Sequence, residues 1–184
     1  MIGHFLMKPC GRILKCDMRT DIYHAETSGT IITDKGSIRF EVFVHSLDMG
    51  IIVKTDASSG ENGFTWQWVS DSPNSPRYDK FKASGNTSKV VREYKENASA
   101  VVDEENRTAL FTYLNGGQTA VRWHISGKGS ARSLYVTCAH SYPNHNALQL
   151  SREYLDRILK PSYSKLKKTH REWWNNFYQK SFIS

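Results

Sequence analysis

Trp66-Gln67-Trp68 is the first group in this sequence whose residue types and spacing could do chemistry. Alternate residues of a strand share a face, so the two indoles would stand side by side. Such a pair makes an aromatic platform on which a sugar ring stacks, with polar neighbours for its hydroxyls. The competing reading puts both rings in a hydrophobic core. Arg122 and His124 have the same spacing, on the strand face opposite Val121, Trp123 and Ile125. There they would bind an oligo- or polysaccharide or simply meet water. His140 and His145 are of metal-ligating type, but Pro143 lies between them and no third ligand is placed, so no metal site is expected. Glu93, Glu96, Asp103, Glu104 and Glu105 offer carboxylates of the kind that glycoside hydrolysis uses in pairs about 5–9 Å apart. Acids on a turn are ordinarily solvated, and no catalytic residue is assigned. There is no nucleophile elbow, phosphate loop or dinucleotide fingerprint, and no cofactor is expected.

The elements that must position these residues are mostly strands. Residues 37–46 alternate, with Ile38, Phe40, Val42 and Val44 facing one way and Arg39, Glu41 and Phe43 the other. With the turn Leu47-Asp-Met-Gly and the apolar run 50–56 they predict an antiparallel hairpin. Strands are also expected over 11–18, in an extended region 21–33, and at 64–69, 108–114, 118–126 and 133–139. Asn115-Gly-Gly117 is a hairpin turn signal. Residues 71–86, rich in Pro, Ser and Asp, predict a long surface loop. After Pro143 the period becomes helical. Asn144–Lys160 carries Ala147, Leu148, Leu155, Ile158 and Leu159 at helical steps, and Pro161 closes it. The expected fold is mainly β: an antiparallel β-supersandwich followed by two C-terminal helices.

The second helix, from Tyr163 onward, gathers Leu166, His170, Trp173, Trp174, Phe177 and Tyr178 on one broad stripe. Two adjacent tryptophans spread over about 100° of a helix, so they are expected to face two different partners. Phe182-Ile-Ser184 is an apolar stop without a polar cap. The expectation is that this helix leads into a further domain. Without that domain the patch invites dimerisation.

Composition narrows the classes. A chain of 184 residues, 39% hydrophobic, buries one core. No run is long enough for a membrane helix, and the start lacks the features of a signal peptide. Net charge is +7, but the basic residues are scattered, which does not favour a nucleic-acid partner. Cys10, Cys16 and Cys138 have neither zinc nor disulfide-framework spacing and are expected to be buried free thiols.

His140-Ser-Tyr-Pro143 and His170-Arg-Glu-Trp-Trp-Asn-Asn-Phe-Tyr-Gln-Lys-Ser-Phe-Ile183 together resemble the linker of large bacterial carbohydrate-active proteins. These are the fucosidase-like glycoside hydrolases of family 95 and the related domain of unknown function 5703. Asp17-Met-Arg-Thr, Ala25-Glu and Gly29-Thr-Ile are similar to a segment of their N-terminal sandwich, and Leu114–Trp123 to a glycine-containing hairpin there. The resemblance implies a β-sandwich domain, 1–140, and a helical linker, 141–184, leading to an (α/α) barrel that is absent here. It places the catalytic carboxylates in that barrel, none matching a residue of this chain. It implies that His170, Trp173, Trp174, Phe177 and Tyr178 form the domain interface. It also implies a periplasmic or extracellular parent.

Overall fold

The computed structural model describes residues 2–180. Ten strands are followed by two long helices: β1 (Gly3–Lys8), β2 (Ile13–Asp21), β3 (Glu26–Thr33), β4 (Gly36–Val44), β5 (Gly50–Ala57), β6 (Thr65–Ser70), β7 (Val101–Asp103), β8 (Thr108–Thr112), β9 (Gln118–Lys128) and β10 (Ala131–Ser141) precede α3 (Ala147–Leu159) and α4 (Tyr163–Lys180). Two short helices, α1 (Pro76–Ala83) and α2 (Lys89–Glu93), interrupt the strands. The mainly-β class with two C-terminal helices is as the residue pattern predicts. No helix among the described residues is long and apolar enough to cross a membrane.

Eight strands form one antiparallel sheet in the order β2-β3-β4-β5-β10-β9-β8-β7, and β1 pairs with β6 as a separate ribbon. The β4–β5 hairpin closes with Val44 opposite Ile51. Asn115-Gly-Gly117 joins β8 to β9; Gly116 and Gly117 take φ of 90° and 83°, a region glycine enters without a Cβ clash.

The central strands are covered on both faces, because apolar side chains point to both sides of them. On one face Val53, Val121, Trp123, Leu134 and Val136 meet Phe5 and Trp68 of the ribbon. On the other, Phe43, Ile52 and Tyr135 meet Leu155 and Ile158 of α3 and Leu166 of α4. Ile158 and Leu166 are fully enclosed, and each contributes about 1.5–3 kcal/mol by leaving water.

Four local expectations are corrected. Residues 71–86 are not all loop: Pro76 starts α1, where its missing N–H costs nothing. The extended region 21–33 is broken at residues 22–25 by the β2–β3 turn, in which Ala25 adopts φ 50°. A strand, β1, precedes residue 11. The three cysteines are free but exposed rather than buried.

Candidate functional site

Two regions hold most of the candidate residues. The first lies between ribbon and sheet. In β6, Trp66 and Trp68 both turn toward the sheet. Trp68 is only 8% exposed; its ring stacks on Trp123 at 5.9 Å, meets Phe5 at 5.2 Å, and its indole N–H donates to Ser70 Oγ at 2.8 Å. Trp66 is half-buried, edge-on to Phe64 at 6.0 Å, and its Nε1 is enclosed without a hydrogen-bond partner among the described residues. Both border a cleft of about 530 Å³, with Phe5, Met7, Phe40 and Val42 among its walls. Its lining is almost wholly apolar, so it offers few partners for sugar hydroxyls.

Arg122 and His124 lie on the opposite side of the sheet, so the structure does not bring them together with the two tryptophans. Arg122 is in the electrostatic reach of Arg152 and Asp156 on α3. Burial, with the like charge of Arg152, pulls its guanidinium below the ordinary range. His124 is likewise pushed down by burial and by Arg107. His140 is engaged by Thr119, Nδ1 to Oγ1 at 3.0 Å. Among the described residues no three His, Cys, Asp or Glu side chains gather as a metal would need.

The second region is α4. Its inner face is clamped to the sheet by side chains that start more than a hundred residues away. Arg171 donates twice to Glu26, at 2.6 and 2.7 Å, a two-pronged geometry that fixes the helix's rotation. Lys167 and the Tyr163 hydroxyl donate to Glu41 at 2.9 and 2.6 Å. Burial pushes the Glu26 carboxyl up, but Arg171 and Lys167 outweigh it and hold it below the usual carboxylate range. His170 is wholly buried, its ring 4.8 Å from Phe43 and its Nε2 donating to Ala25 O at 3.3 Å. His45, on the sheet side, reaches Thr169 Oγ1 with Nε2 at 3.0 Å, and its Nδ1 lies 3.1 Å from Asp48. Burial pushes both imidazoles down.

One turn further, the helix face changes character. Trp174 leans toward the chain, 6.4 Å from His170, and stacks on Tyr178, which stacks on Tyr23 at 5.8 Å. Trp173 and Phe177 stack on each other, 5.5 Å apart and 5° from parallel, and look outward at 38% and 43% exposure. Ile22 and Tyr23, both exposed, extend this patch onto the β2–β3 turn. Thus, among the described residues, His170 belongs to contacts within the chain, Trp173 and Phe177 to the exposed surface, and Trp174 and Tyr178 lie between. Residues 181–184, including Phe182-Ile183-Ser184, are outside the described residues.

No protein-family model matches the chain, and a search of curated proteins finds no match. Fourteen solved chains match it in structure. One is a human-microbiome protein assigned as a kojibiose phosphorylase; it superposes with a TM-score of 0.56 at 12% identity, over 97% of this chain and 28% of its own. The likeness is one of fold. This chain, with its sheet, ribbon and two helices, spans little more than a quarter of the length of that protein.

Sequence reasoning missed the apolar cleft and the Glu26–Glu41–Tyr163–Lys167–Arg171 network. The cleft depends on β1, whose Leu6 faces outward and hides the alternation of Phe5 and Met7. The network joins residues up to 145 positions apart, and no spacing in the sequence marks such pairs.

Proposed function

We propose that this chain is a non-catalytic β-sandwich domain of a larger glycoside-hydrolase-like protein, and that α4 couples it to a helical barrel holding the catalytic carboxylates. The finer placement, with the domain of unknown function 5703 and the fucosidase-like hydrolases of family 95, rests on the resemblance of the Trp173-Trp174 helix; so does export to the periplasm or cell surface. The observation that carries the reading is the two-sided character of α4. Its inner face is held by ion pairs and Leu166, while Trp173 and Phe177 are presented as a flat, stacked aromatic patch. An exposed aromatic cluster on a firmly docked helix is a surface built for contact. The match to 28% of a longer chain supports a partner in the same polypeptide. A second copy bound through this patch is the alternative occupant when the barrel is missing. Any contribution to sugar binding would fall to the rim of the ribbon cleft, where Trp66 reaches solvent, or to Arg122 and His124.

Reading the coding sequence beyond Ser184 tests this. An in-frame region encoding a helical barrel is expected, and the purified chain is expected to turn over no glycoside. Measurable hydrolysis or phosphorolysis by the chain alone would overturn the reading.

A further inference from the structure

β2 is the outer strand of the eight-stranded sheet, nine residues long, with no neighbour on its far side among the described residues. The other edge, β7, has three residues. An edge strand presents free N–H and C=O groups to any strand laid beside it. β2 is exposed almost throughout, with Met18 at 68%. Its charges are ordered. Lys15, Asp17, Arg19 and Asp21 alternate in sign along one face, and the Lys15 ammonium lies 2.8 Å from Asp17, on the same side. Cys16, Met18 and Thr20 occupy the other face.

This order is self-complementary in one register. An antiparallel partner related by a two-fold axis perpendicular to the sheet through Met18 sets Lys15 opposite Asp21 and Asp17 opposite Arg19, in both directions. Every charge on that face then meets its opposite. Moving the axis to Asp17 sets Lys15 opposite Arg19 and Asp17 opposite itself. Moving it to Cys16 leaves only the Lys15–Asp17 match. Directly opposed charges on neighbouring strands attract or repel as a unit of sheet pairing. We propose that β2 pairs antiparallel with β2 of a second copy of this chain, about Met18, to make one continuous sheet. Main-chain hydrogen bonds supply the affinity and the charge row supplies the register.

The test is molar-mass measurement by light scattering over a dilution series of the full chain, in a Trp173→Ala/Phe177→Ala background that removes the α4 patch. A dimer is expected. Asp17→Arg places two arginines opposite each other twice over and raises the dissociation constant by about tenfold or more. Asp17→Arg/Arg19→Asp restores the opposite signs and the dimer. Because a charge variant can lose strand structure, a second variant is read independently: Met18→Cys in a Cys10→Ser/Cys16→Ser/Cys138→Ser background forms a disulfide-linked dimer on mild oxidation, whereas that background alone does not. A chain that is monomeric throughout, a dimer indifferent to Asp17→Arg, a charge swap that fails to restore it, or absence of the Met18→Cys cross-link overturns the proposal.

Discussion

Glu61 ties the N-terminal segment to the sheet. Its carboxylate is fully enclosed and accepts hydrogen bonds from the Cys10 and Gly11 amides, at 2.7 and 2.9 Å, and from the Thr33 hydroxyl. Burial pushes this carboxyl up, but the three donors outweigh it and hold it below the ordinary range. Glu61→Ala strands those donors. It is expected to cost about 2–3 kcal/mol, read as a Tm lower by roughly 5–10 °C. Nothing in the sequence marks Glu61, which sits in a short polar stretch that reads as loop. Its role appears only when residues fifty positions away in the chain fold back over it. Trp68 is the converse case. The pattern Trp66-Gln-Trp68 correctly predicts a shared face, but a face has two possible neighbours, and only the fold shows that Trp123 and Phe5 occupy that side.

At the scale of elements, the join between α4 and the sheet is sensitive to acid. His45 and His170 are both buried there, close to Asp48, Glu26, Glu41, Lys167, Arg171 and Arg157. Burial lowers both imidazole pKa values from 6.5, partly offset for His45 by Asp48 and for His170 by backbone carbonyls and Glu26. A base whose folded pKa is depressed contributes stability that is fully present above its unfolded value. That stability is lost as pH falls below about 6.5, because the unfolded chain then takes up protons that the folded chain refuses. Amide exchange in α4 is therefore expected to speed up from pH 7 to pH 5 more than exchange in β10. His170→Phe is expected to flatten the difference, and equal acceleration of both elements would contradict this account. The helices themselves were readable from their period and from Pro161. Strand alternation likewise placed Phe43 and Glu41 on the side now seen to face α4. The clamp between them was not readable, since ion pairs between remote segments leave no local signature.

At the scale of the whole molecule, the sheet has two differently finished sides. The ribbon covers one with an apolar cleft left open, and α3 and α4 close the other while α4 turns an aromatic patch outward. The fold class was legible because eight strand signals and two helical ones survive local errors such as the missed β1 and α1. The function was less so, because the contact proposed for Trp173 and Phe177 is with something beyond this fold. The central claim is that the outer face of α4 is a seat for a further domain of the same polypeptide. Hydroxyl-radical footprinting of Trp173 and Phe177 measures it directly, comparing this chain with the protein extended through its downstream reading frame. The account predicts that both side chains label readily in the isolated chain and are protected on extension, while Met18 labels equally in both under conditions that keep each protein monomeric. Equal labelling of Trp173 and Phe177 in the two proteins would contradict it.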